Sequence, residues 1–279
     1  MSRRIKYFIS STLINTFIGH SLDVINFKSA RLKNWSQTLS LSKELFSSKE
    51  KFNQAITPAL NVSYISSISN SFISSLLCPI VYHYYNKRAS SILSNTKAAI
   101  SYFTLSNILL QPVDYVRYMI MAHKGIIPVK DKHNFLFKNT NDFIERTYIS
   151  KGIGEFYRGL SLSMMKGILG GTTYGLINES LNTLFNNKDK KGIKNFFIDT
   201  LTLSATIGVV FPLEKMRIAY ITDSLRQHPQ YKSEFDCMAK VFKQNGLLGC
   251  YKGICLVMVK GVGLNIIDSV MYKHYKSKK

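Results

Sequence analysis

The fold of this chain is decided by two heptapeptides, QPVDYVR at residues 111–117 and FPLEKMR at residues 211–217. Each contains a proline, an acid two residues after it and a base five residues after it. Each also closes a long apolar stretch, although the chain has only six prolines among its 279 residues. A third stretch ends with SLDVIN at residues 21–26, which keeps the acid and lacks the proline and the base. Two full copies and one partial copy indicate an internal threefold repeat.

Six moderately apolar stretches are long enough to cross a bilayer, which takes about 20 residues of helix. They are residues 7–25, 65–85, 98–121, 164–185, 196–218 and 256–272. The polar segments between them alternate between long and short, so the stretches fall into three hairpins. This pattern predicts an all-α membrane protein with six transmembrane helices, and it leaves an all-helical soluble protein as the alternative.

The charge of the chain also favours a membrane protein. Lys and Arg number 37 against 16 Asp and Glu, a formal net charge of +21, and hydrophobic residues make up 46%. This much apolar material excludes a disordered basic tail. The basic residues punctuate the ends of the apolar stretches, where lipid headgroups tolerate them, rather than gathering along one helix as in nucleic-acid-binding proteins. An anionic lipid surface or a charged solute is therefore the expected partner, and nucleic acid is not.

Neither an enzyme nor a metal site is predicted. The four cysteines include no C-x-x-C pair, which argues against both a disulfide scaffold and a zinc site. The sequence lacks the hydrolase, metalloprotease and phosphate-loop motifs, and its six histidines are scattered. We therefore expect no enzymatic activity, no metal and no cofactor. No cleavable signal is expected at the N-terminus either.

An aromatic-basic-glycine element follows each full proline motif. These elements are Tyr157-Arg158-Gly159 and Tyr251-Lys252-Gly253, and the best counterpart in the first repeat is Tyr64-Ile65-Ser66. With both elements, the sequence resembles the mitochondrial carrier family over nearly its whole length, and it is most similar to the ADP/ATP carriers. Two of the three repeats carry both elements, so the resemblance is specific.

The resemblance implies an architecture and a location. Three carrier repeats are expected at residues 1–95, 96–190 and 191–279, with the first one degenerate. Each repeat would consist of two tilted membrane helices around a short matrix-side helix, and a pseudo-threefold axis would relate the repeats. The protein would be a multi-pass protein of the mitochondrial inner membrane.

The proline motifs are expected to form a gate on the matrix side. Pro112 and Pro212 would bend their membrane helices, since a proline inside a helix frees a backbone carbonyl. By resemblance, the charged residues after the bends pair between repeats. The gate residues are Asp23, Asp114, Arg117, Glu214 and Arg217.

The expected cyclic pairing of the gate is incomplete. It joins Asp23 to Arg117 and Asp114 to Arg217. Glu214 meets Asn26 where a base is expected, so the nearby Lys28 is the candidate substitute.

Two lysines are the candidate solute contacts. Lys166 and Lys260 lie nine residues after Tyr157 and Tyr251, and a lysine at mid-membrane is costly unless it faces water or an anion. The resemblance places the carriers' solute contacts here, so the predicted substrate-binding residues are Lys166, Gly167, Lys260 and Gly261. The same count from Tyr64 reaches Ile73. The alternative is that both lysines snorkel or form pairs inside a vestigial cavity.

Cardiolipin is the predicted bound lipid. Helix N-termini with free N–H groups suit phosphate, and the glycine turns here resemble the family's cardiolipin sites. The predicted residues are Gly152, Arg158, Gly159, Gly246, Lys252 and Gly253.

Two functions remain open. The main interpretation is a carrier fold that has lost transport and serves as a structural or accessory subunit of a respiratory-chain complex. The first repeat and the cytosolic-side gate lack charges that a transport cycle would use, which favours this interpretation. Its partners would be cardiolipin and other subunits of that complex. The alternative is an active carrier that exchanges an anionic solute, such as a nucleotide, by alternating access.

Overall fold

The computed structural model describes residues 3–29, 48, 60–86, 92–127, 129, 139–185, 193–226 and 228–277. Within these residues the chain is helical and contains no strand. The long helices are α1 (Arg3–Ser29), α2 (Leu60–Asn86), α3 (Ile92–His123), α5 (Leu160–Leu184), α6 (Ile193–Asp223) and α8 (Ile254–Ser277). The short ones are α4 (Thr140–Lys151) and α7 (Glu234–Cys250), and a 3₁₀ turn covers Ile153–Tyr157.

The prediction of six long helices in three hairpins is confirmed. Each of the six apolar stretches falls within one long helix, except that the fourth stretch runs one residue past Leu184. The short helices α4 and α7 occupy the long connections of the second and third repeats, where short helices were expected. The corresponding segment of the first repeat lies outside the described residues.

The six long helices form a closed ring in chain order. Each packs against the next one, and α8 packs against α1 to close the ring. Neighbours in this ring run antiparallel, so the C-terminal ends of α1, α3 and α6 lie at the same end as the N-terminal ends of α2, α5 and α8. Most of the buried apolar side chains cluster at this end, around Tyr115, Met121 and Ile221. The other half of the ring surrounds a cavity.

Two helices meet a length and hydropathy test for crossing a membrane, among the residues the structure describes. They are Leu60–Tyr85 in α2 and Lys194–Asp223 in α6. Only 11% of the apolar window of α2 is buried inside the protein, and side chains such as Phe72 and Ile80 are exposed on its outer face. A core helix of a soluble protein would bury that face, so its exposure fits contact with lipid.

The tightest contact in the ring joins α3 and α5. Gly167, Gly171 and Gly175 form a stripe at four-residue spacing along α5, and each lies against the backbone of α3. A Cβ added at Gly171 would stand 2.4 Å from the Cα of Ile100. Small residues in such a stripe let two membrane helices approach more closely than side chains permit. The second repeat therefore has a closely packed two-helix core.

Candidate functional site

A cavity of about 780 Å³ lies inside the helix ring. Its lining includes side chains from all six long helices. Charged side chains line only its closed end, where the acids near the ends of α1, α3 and α6 meet bases from other helices. The charged lining residues are Asp23, Asp114, Arg117, Lys166, Glu214 and Lys260. All six are among the residues that the sequence predicts as gate or solute-contact residues.

The first acid, Asp23 on α1, joins two other helices. The Arg117 Nη2 atom on α3 lies 2.5 Å from Asp23 Oδ2, and the Lys260 Nζ atom on α8 lies 2.8 Å from the same oxygen. Gly19, one turn earlier on α1, leaves room for the Lys260 side chain, since a Cβ there would stand 3.3 Å from Lys260 Cε. Although the first repeat lacks the full proline motif, its acid forms ion pairs with a base on each of two other helices.

The second acid, Asp114 on α3, has the same arrangement with a weaker second partner. Arg217 Nη2 on α6 lies 2.6 Å from Asp114 Oδ2. Ser66 Oγ on α2 lies 3.4 Å from Asp114 Oδ1. The Arg217 side chain is only 1% exposed, so the carboxylates around it provide the charge that makes its burial tolerable.

The third acid, Glu214 on α6, accepts from a different set of groups. Lys166 Nζ on α5 lies 2.9 Å from Glu214 Oε2, and Arg217 Nη1 lies 3.7 Å from it. The hydroxyl of Tyr118 donates to Glu214 Oε1 at 2.6 Å. Lys28, the candidate substitute base, is not needed here, because Lys166 and Tyr118 satisfy this carboxylate. Asn26 instead lies against Gly253 at the start of α8.

The contacts correct the register of the first repeat. Lys166 and Lys260 each lie six residues after the first residue of their helix, and Ser66 lies six residues after Leu60. Ser66 also contacts a gate acid as the two lysines do, whereas Ile73 is not among the cavity-lining residues. The sequence prediction that put Ile73 at this position was wrong by seven residues. The helix start sets the register, and no glycine marks that start in the first repeat.

Tyr118 is the gate residue that sequence reasoning missed. Its ring lies near the guanidinium groups of Arg117 and Arg217, with the Cζ atoms 5.8 and 5.4 Å from the ring centroid. It meets Phe27 edge-on at 6.4 Å. The side chain, itself on α3, therefore contacts groups on α1 and α6, so it joins all three helices that carry the gate acids. No motif points to it, because it lies one residue beyond the last motif position.

Removing the Tyr118 hydroxyl should loosen the gate. In Tyr118→Phe, Glu214 loses a hydrogen bond to a charged group, a contact worth about 1.5–3 kcal/mol. We expect a lower melting temperature of the purified protein in detergent. Tyr148→Phe, at an exposed position on α4, is the control. Equal melting temperatures for the two phenylalanine variants would contradict this role.

The two predicted solute-contact glycines lie in helix contacts. A Cβ on Gly167 would stand 2.7 Å from the Thr104 Cα on α3, and one on Gly261 would stand 2.9 Å from Ile207 Cδ1 on α6. Neither glycine is among the cavity-lining residues. The structure thus brings Lys166 and Lys260 into the cavity and places the glycines after them between helices.

For the predicted proline bends and glycine turns, the structure gives the position of each proline and the backbone angle of each glycine. Pro112 and Pro212 both lie inside continuous helices, at the same end of the ring as their acids. The four turn glycines all have positive φ, a backbone region that other residues adopt only with strain. They are Gly152 (75°), Gly159 (85°), Gly246 (64°) and Gly253 (87°).

One of the predicted lipid positions is occupied by protein groups. Arg158 Nε donates to the Tyr220 carbonyl at 3.1 Å, and its guanidinium lies over the Tyr220 ring. At the start of α5, the Leu162 N–H donates to Glu234 Oε2 at 2.9 Å. Lys252, by contrast, is exposed before α8. The cardiolipin site stays a prediction, and the start of α8 is the more accessible of its two positions.

Outside the long helices, the clearest perturbed group is a thiol. Burial raises the pKa of Cys237 on α7 to about 12, and its Sγ lies 3.6 Å from the Met216 carbonyl. A thiol with such a pKa stays protonated and packs as a small apolar group. Among the described residues, no group of three or more His, Cys, Asp or Glu side chains could hold a metal ion.

A closed ring of six helices in three hairpins, with a charged gate at one end of its cavity, defines the carrier class of membrane protein. Comparison with known proteins agrees. The family profile "Mitochondrial carrier protein" matches residues 89–189 and 191–279, which is more than half of the chain. The chain therefore belongs to the mitochondrial carrier family.

Individual relatives are distant. The chain is 24% identical over 156 residues to ADP/ATP translocase 4 of Bos taurus, a match that covers 56% of this chain and 47% of the relative. It is 22% identical over 153 residues to the mitochondrial tricarboxylate transport protein of Mus musculus, covering 53% and 47%. It is 26% identical over 148 residues to mitochondrial citrate transporter E of Aspergillus niger, covering 51% and 45%. The matches span about half the length of these relatives.

Proposed function

We propose that this protein is a solute carrier of the mitochondrial inner membrane that moves a small organic anion by alternating access. The single observation that carries the proposal is the central cavity, closed at one end by three interlocked acid–base groups and lined there by two lysines. The proposed activity is transport and not an enzymatic reaction. The relatives' names support an anionic solute, because they refer to adenine nucleotides and to tricarboxylates.

The arrangement of the lysines couples the solute to the gate. Lys166 forms an ion pair with Glu214, and Lys260 forms one with Asp23, so each lysine is part of the closed gate. A solute anion that attracts the two ammonium groups would compete with these carboxylates. Each carboxylate would then keep fewer cationic partners. In a low-dielectric site this weakens the ion pairs that close the gate, because a buried charge depends on its partners for stabilisation. Binding of the anion thereby lowers the cost of opening the gate.

The accessory-subunit interpretation is less well supported. It depended on the loss of gate groups in the first repeat, yet Asp23 and Ser66 both take part in the gate. The third ion pair of the gate lacks a base, because Asn26 stands where one is expected. Contacts of Tyr118 and Lys166 with Glu214 take the place of that pair. A gate that has lost its use would not be expected to keep such a full set of contacts. Binding to cardiolipin and to other subunits remains a separate proposal.

The proposal is tested by transport in proteoliposomes that contain cardiolipin. Uptake of labelled phosphate, carboxylates and nucleotides is measured against vesicles loaded with the same solute. We expect saturable exchange of at least one anion, and a loss of more than tenfold in Lys166→Ala and in Lys260→Ala. Lys243→Ala, at an exposed position on α7, is the control and should exchange normally.

Two outcomes would contradict transport. One is the absence of exchange for every anion in the panel from well-folded protein. The other is exchange that neither lysine variant reduces. Migration of the native protein only within a large inner-membrane complex, together with absent exchange, would favour the accessory-subunit interpretation.

A further inference from the structure

One wall of the cavity carries hydroxyl and amide groups, of which Ser66 contacts a gate acid. Six such side chains of α2 line the cavity at three- and four-residue spacing, and therefore share one helix face. They are Ser63, Ser66, Ser67, Asn70, Ser71 and Ser74. The opposite face of the same helix is apolar and exposed, with Ile65, Ile68 and Leu76. In a membrane helix, polar groups are tolerated where they face a cavity, and six of the hydroxyl and amide side chains of α2 lie on this face.

The flanking helices extend this neutral polar wall. Tyr102, Ser106 and Asn107 on α3, together with Thr12, Asn15 and Thr16 on α1, also line the cavity. Some of these groups already have protein partners: the Tyr102 hydroxyl donates to Ser74 Oγ at 2.8 Å. Within the described residues, Ser67 and Ser71 have no protein hydrogen bond. Their hydroxyls face the cavity with donors and acceptors available to a solute.

The opposite wall is mostly apolar, with Thr206 as its hydroxyl side chain on α6. Leu203, Ile207 and Val210 on α6, with Val257 and Leu264 on α8, line the cavity across from α2. A solute that fills the cavity therefore meets hydrogen-bonding groups on one side and hydrocarbon on the other. Molecules with a row of hydroxyl groups on one face and C–H groups on the other have this character.

The charge balance limits the charge of the solute. Three carboxylates, Asp23, Asp114 and Glu214, face the lining cations Arg117, Lys166 and Lys260. The buried Arg217 adds one further cation behind them. With His20 counted as neutral, these seven groups carry a net charge of about one positive unit, and Lys215, whose ammonium lies over the Phe27 and Phe211 rings, is not among the lining residues. A trivalent anion would leave about two negative charges uncompensated at low dielectric, whereas a monoanion is matched.

From these observations we propose that the solute is a hydroxylated organic monoanion of the sugar-acid type. Its carboxylate binds Lys166 and Lys260, its hydroxyl groups bind Ser67, Asn70 and Ser71, and its C–H face packs on the α6 and α8 wall. This proposal rests on the proposed function, because it names the solute of the same cavity.

Gluconate and hexanoate are the decisive pair of probes, since both are six-carbon monocarboxylates and only gluconate carries hydroxyl groups. The melting temperature of the detergent-purified protein is titrated with each probe and with citrate. Gluconate should raise the melting temperature saturably, and hexanoate and citrate should need at least tenfold higher concentrations. The triple variant Ser67→Ala, Asn70→Ala, Ser71→Ala should weaken the gluconate effect at least tenfold.

A matched double variant on the same helix controls for general effects. Ser69→Ala with Ser75→Ala removes hydroxyls that do not line the cavity and should leave the gluconate titration unchanged. If the triple variant does not fold, Asn70→Ala alone is titrated, with a loss of at least threefold expected. Equal responses to gluconate and hexanoate, a stronger response to citrate, or an unchanged triple variant would overturn the proposal.

Transport separates this proposal from the proposed function. A gluconate-dependent shift without gluconate exchange in proteoliposomes would support the solute class and contradict transport. Exchange of another anion that excess gluconate does not inhibit would support transport and contradict the solute class. Neither a shift nor any exchange would contradict both.

Discussion

Replacing Arg217 with glutamine should produce the largest loss of stability of any single change in the gate. Arg217 is 1% exposed and lies within 4 Å of both Asp114 and Glu214. Without it, two carboxylates that belong to different helices face each other with fewer cations between them. Breaking a buried ion pair by removing one partner costs about 3–5 kcal/mol. We expect a much lower melting temperature in detergent and a loss of exchange in proteoliposomes.

The control for this change is Arg146→Gln on α4. Arg146 forms an i,i+4 pair with Asp142, but its side chain is 53% exposed, and such surface pairs contribute little. Its melting temperature should stay within about a degree of the parent protein. The swapped double variant Asp114→Arg, Arg217→Asp should recover part of the lost stability. An Arg217→Gln protein as stable as the Arg146→Gln protein would show that the gate charges do not interact as described.

Gly171→Ala should be nearly as damaging, for a steric reason. The added Cβ would meet the Cα of Ile100 at 2.4 Å, and this neighbour is backbone that cannot rotate away. The helices α3 and α5 must separate, which breaks the close packing along the whole glycine stripe. Overpacking of this kind costs about 1–3 kcal/mol, and more where the backbone must move. The yield of monodisperse protein and its melting temperature should both fall.

Gly263→Ala on α8 provides the comparison. Nothing lies within 4 Å of a Cβ at this position, so the substitution adds a methyl group to open space. Alanine is also the better helix former, by about 1 kcal/mol in a helix interior. We expect a melting temperature equal to or above that of the parent protein. If Gly171→Ala behaves in the same way, the close approach of α3 and α5 is not a determinant of the fold.

These two predictions concern two neighbouring parts of the structure, the charged gate and the contact between α3 and α5. The glycine stripe packs α3 and α5 of the second repeat closely against each other. The gate then joins this pair to α1 through Asp23 and Arg117, and to α6 through Asp114 and Arg217. At this end the repeats are joined by these ion pairs and by the buried apolar cluster around Tyr115, Met121 and Ile221.

The sequence predicted the architecture and most of the gate. Spacing alone placed Asp114 and Arg217 at equivalent ends of equivalent helices, and the resemblance supplied the two ion pairs that the structure contains. It also selected Lys166 and Lys260 from 37 basic residues. These positions could be selected because proline, acid and base at set offsets recur along the chain, so that one repeat identifies the equivalent positions in another.

The sequence could not show what the lysines and glycines contact. It assigned Gly167 to the solute, whereas Gly167 lies against Thr104 in the α3–α5 contact. It placed the first repeat's contact at Ile73 and not at Ser66, because that repeat has no glycine to mark the helix start. Neither Tyr118 nor the α2 polar wall carries a motif.

The sequence by itself thus determined an all-helical chain of three repeated hairpins, because helix length, apolar stretches and the proline motif are local properties. Only the tertiary structure decided which groups satisfy Glu214, and which walls of the cavity are polar. Those properties depend on which helix faces which neighbour and on the rotation of each helix about its axis. A shift of two turns along α2 leaves its composition unchanged and moves a different side chain to the gate.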